Sequence, residues 1–425
     1  LVFSAPIYSQ KSTSPNFFDI QKQSLEYFKN LDPSTLQGKS KDRLLAKYKR
    51  WEWFWKQRVT SDGQFPNPMV IYNETVKKQA GSKNKGATTL AAPAADWKPR
   101  GPFGSPKNGG AGRVNRIYIN PAFPKNVWVG TTVGGAWKSI DSGKTWSAKT
   151  DEIPVFGVTD IATSSTDQNT VYIATGDGEG GSATPNIQTH NAYSLGVMKS
   201  TDGGNTWRTT GLNWESSNAW LISRLLVSPV NSMLLLAATS QGIYKSIDSG
   251  ATWTLTIGGN FRDMEFKPND NKVLYACNGN EIYKSTDEGS NWSKLGTGIP
   301  SGIGRVALAV TPANPDMVFA VTADKTYWDN GELYVSTDAG KVWQLKATNL
   351  NFLGQQGWYN LSIAVSPTNI QEIYLGGLNI IRTTNGGTSW KTIASSKDTT
   401  GLAYIHTNIH DLVITKGSPS IIYAC

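Results

Sequence analysis

From about residue 112 to residue 425, short apolar runs alternate with polar turns rich in Gly, Pro, Asn and Asp. One set of runs ends near Pro: "RIYINP" (116–121), "RLLVSP" (224–229), "DMEFKP" (263–268) and "IAVSP" (363–367). A second set follows a short turn: "NVWVGT" (126–131), "TVYIAT" (170–175), "LLLAAT" (234–239), "KVLYAC" (272–277) and "EIYLGG" (372–377). A third run, such as "GIYKS" (242–246), enters a recurrent box, and a fourth begins at the Trp that closes the box. Short runs bounded by turn formers and rich in β-branched and aromatic side chains predict strands.

The box occurs six times: "KSIDSGKTW" (138–146), "KSTDGGNTW" (199–207), "KSIDSGATW" (245–253), "KSTDEGSNW" (284–292), "VSTDAGKVW" (335–343) and "RTTNGGTSW" (382–390). Its tryptophans are spaced by 61, 46, 39, 51 and 47 residues. Periods of this order, with four short strands in each, predict a β-propeller of four-stranded antiparallel blades. A seventh unit begins at "DLVITKGSPSIIYAC" (411–425). The expectation is an all-β, seven-bladed propeller over 112–425, its last blade truncated.

The pattern differs before residue 112. "FFDIQKQSLEYFKN" (17–30) and "SKDRLLAKYKRWEWFWKQRV" (40–59) read as two helices of a leader spanning 11–76. In the second, Leu44, Leu45, Tyr48, Trp51 and Trp55 recur at helical spacing, and Ser40 can cap the start. The run Trp51, Trp53, Phe54, Trp55 is read as a face docked on its own domain rather than a ligand site. Residues 77–111 read as an extended linker, and "LVFSAPIYSQ" (1–10) as a signal-peptide remnant.

The net charge of +9 changes this picture little. Residues 39–100 hold 14 Lys and Arg against 5 Asp and Glu, whereas residues 101–425 balance at 24 and 24. A nucleic-acid-binding propeller would carry basic charge on its own surface, so no nucleic-acid partner is expected. No run of eighteen apolar residues predicts a membrane span. Cys277 and Cys425 lie in apolar runs and read as core residues, with no disulfide framework. A monomer is expected.

The motif S/T-x-D-x-G-x-T-W resembles the Asp-box (BNR) repeat of bacterial sialidases, sortilin-type receptors and xyloglucan-cleaving glycoside hydrolases, over about residues 112–425. The opening "GRVNRIYINPAFPKNVWVGTTVGGAWKSIDSGKTW" (112–146), with "KRWEWFWKQRV" before it, also resembles surface proteins exported by type IX secretion in Gram-negative bacteria. These resemblances imply a secreted or cell-surface propeller. The box itself reads as architecture. Asp141, Asp202, Asp248, Asp287 and Asp338 are placed to accept turn N–H groups, the box Gly supplies a positive φ, and the Trp packs between sheets. The sixth copy has Asn385, which a turn accepts and a catalytic carboxylate role does not.

Loops joining strands two and three, or one blade to the next, share one face of a propeller. The long loops here are of those kinds, and they carry His190, Tyr193, Trp214, Trp220, Tyr327, Trp328, Trp358 and Tyr359. Aromatic rings among Asn, Gln and Asp suit a sugar or peptide groove. Counting back from the strand-end Pro, or its equivalent, puts Arg116, Asp160, Arg224, Asp263 and Asp411 at inner-strand starts, read as an inter-blade ion-pair ring. His406, Asn408 and His410 would share a face on a strand, but Asn is a poor ligand and no Cys is near, so no metal is assigned. "GDGEGG" (176–181) falls short of the alternating oxygens of a Ca²⁺ loop, and no cofactor is expected.

A glycosidase needs a pair of carboxyl groups flanking the scissile bond. The resemblance to xyloglucan-cleaving enzymes implies a catalytic Asp just before a Gly-Gly, here Gly134–Gly135, and Thr132 stands in its place. "FRDM" (261–264) departs from the F-R-I-P motif of sialidases. The expected function is therefore non-catalytic binding of a polysaccharide, peptide or partner protein on the loop face. The expected contacts are Thr132, Asp177, His190, Tyr193, Trp214, Trp220, Trp328, Trp358 and Tyr359. The alternative is a divergent glycoside hydrolase with acids such as Asp177, Glu179, Asp263 or Asp329.

Overall fold

Strands that follow one another in the chain pair antiparallel, so each repeat closes into its own sheet. The computed structural model describes residues 16–31, 41–65, 74, 77, 112–153, 157–179, 194–215, 218, 220–296, 298–299, 303–397, 401–416 and 421–425. Six four-stranded blades cover 114–148, 158–213, 222–258, 263–295, 303–350 and 362–395, the sixth extended by a short parallel strand, Ala403–Tyr404. The seventh sheet has two strands, Leu412–Ile414 and Ile422–Ala424. Among the described residues there are thus six complete blades and a two-stranded seventh sheet. The strand Leu412–Ile414 packs between the inner strands of blade six (Ser362–Val365) and blade one (Val114–Ile119), and so closes the ring.

Burial follows from radial packing. The second strands Val171–Thr175, Leu235–Thr239, Leu274–Cys277 and Ile373–Gly376 are buried along their whole length, because a neighbouring blade covers each face. The apolar clusters accordingly lie in the seams, as where Trp128 of blade one meets Val158, Ile161 and Ile173 of blade two. Outer strands such as Thr254–Gly258 have no fully buried residue.

The box makes a tight hairpin with two consecutive left-handed residues. In the first copy these are Ser142 (φ 63°) and Gly143 (φ 90°). Ser249, Glu288, Ala339, Gly203 and Gly386 take the same place as Ser142 in the other copies, so the positive φ is not confined to the invariant Gly. The strain of a non-Gly residue there is offset by its N–H, which donates to a carbonyl in the first turn of the same blade. Examples are Ser142 to Lys125 (3.0 Å), Glu288 to Lys272 (2.9 Å) and Ala339 to Asp316 (2.8 Å). Asp248 accepts from the Thr252 hydroxyl (2.5 Å) and amide (2.9 Å) and from Ser246 Oγ (2.8 Å). The Thr252 hydroxyl and amide hold its carboxyl down to about 2. Asn385 fits because Oδ1 still accepts from Thr383 and the Ser389 amide, while Nδ2 donates to Ser389 Oγ (2.8 Å).

Three inner-strand aspartates tie blades together. Asp160 Oδ2 accepts from the Leu225 amide of blade three (2.7 Å), Asp263 Oδ2 from Leu308 of blade five (2.9 Å) and Asp411 Oδ2 from Ile117 of blade one (3.0 Å). Arginines sit between them: Arg116 meets Asp160 (3.2 Å) and Asp411 (3.0 Å), and Arg224 meets Asp160 and Asp263 (both 3.5 Å).

The leader forms helices α1 (Phe17–Asn30) and α2 (Lys41–Lys56). Asn16 caps α1 by accepting from the Phe18 amide at 2.9 Å. The predicted cap Ser40 lies outside the described residues. Phe17, Phe28, Tyr48 and Trp51 bury one another in a small core of their own, with Trp55 and Phe65 against it. The aromatic run is therefore split. Trp53 and Phe54 stay on the outside, 66% and 41% exposed.

Removing Asp160, which is fully buried, leaves Arg116 and Arg224 short of a shared partner and the Leu225 amide without an acceptor. Asp160→Ala is expected to destabilise the propeller by about 3–5 kcal/mol. Urea unfolding followed by tryptophan fluorescence measures it, and Glu152→Ala, exposed on the surface, is expected to stay near wild type.

Candidate functional site

The loop-side mouth of the central channel is built by two irregular inner strands and one loop. A β-bulge between Val114 and Arg116 in blade one, and another between Ile303 and Arg305 in blade five, re-aim the side chains at their loop ends. Arg113 Nε donates to Thr132 Oγ1 (2.8 Å) and Asn115 Oδ1 (3.0 Å), and its Nη1 donates to the Tyr359 hydroxyl (2.6 Å). Its Nη2 pairs with Asp177. Arg305 holds both oxygens of Glu179 at 2.9 Å and donates to the Trp358 carbonyl at 3.0 Å.

Asp177-Gly178-Glu179 thus reaches from blade two to blade one on one side and to blade five on the other. Gly178 is required by close approach, since a Cβ there would lie 2.9 Å from the Ile222 carbonyl oxygen. Burial pushes the Asp177 carboxyl above its ordinary range, with Arg113 opposing. Burial also works against charge on Glu179, but Arg305 and Arg262 overcome it and bring that carboxyl down to about 2. The first of these carboxyls is nearly inaccessible, and the second accepts one hydrogen bond from Arg305 through Oε1 while Oε2 lies in ion-pair contact with the same guanidinium.

The Tyr359 ring meets His410 edge to face at 4.5 Å. His410 is 9% exposed, and neither ring nitrogen has a hydrogen-bond partner among the described residues. Burial, aided by Arg113, Arg305 and Arg116, brings its pKa down to about 3 against the pull of Glu179. The imidazole is neutral at neutral pH.

Of the residues singled out in the sequence, the mouth gathers Thr132, Asp177, Glu179, Trp358 and Tyr359. Trp214 is instead buried among Leu212, Ile222 and Leu225, and Trp220 stacks edge-on against it at 5.3 Å, so neither is a surface platform. Trp328 packs on the seam of blades five and six, in space left by Gly304. Tyr327 is exposed. His190 and Tyr193 lie outside the described residues. Asp263 belongs to the ion-pair ring, its oxygens engaged by Arg224 and by the Met264 and Leu308 amides. His406 is exposed while His410 is buried, because Asn408 (φ 72°) interrupts any strand there. No metal-like cluster of His, Cys, Asp and Glu occurs among the described residues. Arg113, Asn115 and Arg305 were not singled out. Counting back from the strand-end Pro stops at Arg116 in blade one, and in blade five it reaches Ala307 rather than Arg305.

Comparisons with known proteins agree with this architecture. Residues 240–375 match the family model described as sortilin, neurotensin receptor 3. A xyloglucanase of Acetivibrio thermocellus is 29% identical over 159 residues, 34% of this chain and 18% of that protein. A probable oligoxyloglucan-reducing end-specific xyloglucanase of Neosartorya fischeri is 25% identical over 263 residues, 55% of this chain and 27% of that protein. The GH74 enzyme of Niastella koreensis superposes with a TM-score of 0.50 at 23% identity, over 68% of this chain and 46% of that one. An ancestral GH74 enzyme superposes with a TM-score of 0.57 at 18% identity, over 75% and 44%.

The chain carries a sortilin- and xyloglucanase-like β-propeller. It spans less than a third of the length of these two curated relatives and under half of the two solved structures, whose likeness bears on the fold alone. No helix among the described residues is long and apolar enough to cross a membrane.

His410 gives the propeller a defined acid response. Its folded pKa, about 3, lies below the ordinary value of 6.5, so its contribution is complete above pH 6.5 and is lost as pH falls toward 3. His410→Phe is expected to flatten the fall in melting temperature between pH 6.5 and pH 4, read by calorimetry; a slope identical to wild type contradicts it.

Proposed function

We propose that this propeller binds a xyloglucan-like polysaccharide on its loop face without cleaving it. The relatives named as xyloglucanases supply the ligand class. The observation that carries the non-catalytic part is Arg113, which joins Thr132 and Asp177 in one buried knot. Thr132 cannot serve as a carboxylate, and Asp177 and Glu179 are each closed by an arginine. Hydrolysis needs one carboxyl group as acid and another as base or nucleophile, both reaching the sugar. Tyr327 is exposed on this side, and the half-buried rings of Trp358 and Tyr359, the latter under the Arg113 guanidinium at 5.2 Å, border it; these rings supply the stacking in this reading. In this reading the protein works as a monomer outside the cell, on the surface of a Gram-negative bacterium.

The second reading is a divergent glycoside hydrolase. The xyloglucanase relatives favour it, and so does the raised pKa of Asp177, which suits a general acid.

Affinity electrophoresis in xyloglucan, run beside a reducing-sugar assay, tests the proposal. Retardation is expected without release of reducing ends, and Tyr359→Ala is expected to weaken binding about tenfold, a loss of ~1.4 kcal/mol. Absence of retardation overturns the binding reading. Reducing ends that disappear in Asp177→Asn establish the hydrolase instead.

A further inference from the structure

The face opposite the channel-mouth loops carries the box hairpins, and one seam there differs from the others. Between blades one and two a cleft of about 390 Å³ opens, lined by Lys138, Trp146, Lys149, Asn169, Asp202 and Asn205. That volume lies in the range of small-ligand pockets.

The repeat supplies the control. In most blades a basic residue on the third strand crosses the aromatic ring of the second strand or reaches the next box. Lys199 lies over Tyr172 at 5.2 Å and donates to the Ser249 carbonyl at 3.2 Å. Lys284 lies over Tyr275 at 5.6 Å and donates to the Ala339 carbonyl at 2.8 Å. Lys245 donates to Ser290 Oγ at 2.8 Å. Lys138 lies over Trp128 at 5.1 Å in the same manner, but its ammonium has no hydrogen-bond or ion-pair partner among the described residues. The next box places Gly203 where the others place Ser249 and Ala339, and a Cβ on Gly203 would lie 3.4 Å from Lys138 Nζ. The missing side chain keeps the cleft open in front of that ammonium.

Lys149 enters the same cleft and donates to Asn205 Oδ1 at 3.0 Å. Two ammoniums therefore face one space, and neither meets a carboxylate among the described residues. Burial, reinforced by Lys149, holds the Lys138 ammonium below its ordinary pKa. Asp202 lines the cleft, but its oxygens are taken by Ser200, Asn205 and Thr206 within its own turn. The remaining walls suit a sugar. Asn169 carries an amide able to read a hydroxyl, whereas Asn205 already accepts from Lys149 and donates to the Asp202 carbonyl at 2.8 Å; Trp146 adds a ring to the lining.

We propose that this cleft is a second ligand site, on the opposite face from the channel mouth, that takes a carboxylate-bearing sugar of an acidic polysaccharide. Lys138 and Lys149 neutralise the carboxylate, Asn169 takes a hydroxyl, and Trp146 provides an apolar wall. The proposal is independent of xyloglucan binding.

Trigalacturonic acid and its fully methyl-esterified form are the probes, with affinity measured by calorimetry at low and at physiological salt. The acid is expected to bind, the neutral ester at least tenfold more weakly, and the affinity for the acid is expected to fall with added salt. The double variant Lys138→Gln/Lys149→Gln is expected to lose at least tenfold, while Lys325→Gln, an exposed lysine of blade five, keeps wild-type affinity. Equal affinity for acid and ester, no binding of the acid, or unchanged affinity in the double variant overturns the proposal. Because Lys138 packs on Trp128, wild-type protein gives a second reading: acetylation followed by mass spectrometry. Protection of Lys138 and Lys149 by the acid supports the site, and unchanged labelling of both overturns it.

Discussion

An innermost strand in a radial sheet has one edge that no strand of its own sheet can cover, and its outward amides must find acceptors elsewhere. The aspartates at 160, 263 and 411 meet that constraint here. Each binds its own following amide with one oxygen and an amide of the next inner strand carrying a described contact with the other. Asp411 does so from the seventh sheet to blade one, so the ring closes through a hydrogen bond. Arg116 and Arg224 then balance the buried negative charge. A carboxylate used in this way is committed to the ring, and Asp263 has both oxygens engaged there.

The ring and the mouth are adjacent in sequence but distinct in space. Arg116 serves the ring and Arg113 the mouth; Asp411 serves the ring and His410 the mouth. The bulge at Val114/Arg116 makes the division in blade one by breaking the strict alternation of side chains. Above the ring, Asp177 and Glu179 bring negative charge to arginines that would otherwise be buried beside one another. The result is a mouth that is largely neutralised from within.

Much of the fold was legible because one turn is made six times. A Ser or Thr, an Asp or Asn, and a Gly at fixed spacing force the same hairpin, and that fixes the strand count and the face of every loop. The ion-pair ring was legible for the same reason: it lies at a constant distance from the strand-end Pro. The mouth was less so. Arg113 sits beyond a bulge that a constant count does not anticipate, and Arg305 lies two residues further back along its longer strand than that count reaches. Trp214 and Trp220 look like loop aromatics in the sequence, yet apolar surface between blades two and three was available and buried them. The left-handed Ser142, Glu288 and Ala339 carry no compositional signal, because their strain is met by a hydrogen bond to a distant turn rather than by the absence of a side chain.

Repetition also gives each departure a measure. Replacing Asp by Asn385 changes the sequence but leaves the hydrogen bonds in place, because one amide oxygen accepts as before and the amide nitrogen finds Ser389. Such a departure is neutral in the turn. Exchanging a side chain for Gly203 in front of Lys138 works the other way. The residue type suits a left-handed turn better than Ser or Ala, and Lys138 behind it stays off the main-chain carbonyl that Lys199 and Lys284 reach at the same place in their boxes, although Gly203 keeps that carbonyl. A half-buried ammonium left without a partner costs free energy that the fold recovers in the other seams. The position of that cost, beside a second lysine and an open cleft, is an argument for a ligand that the repeat alone does not require.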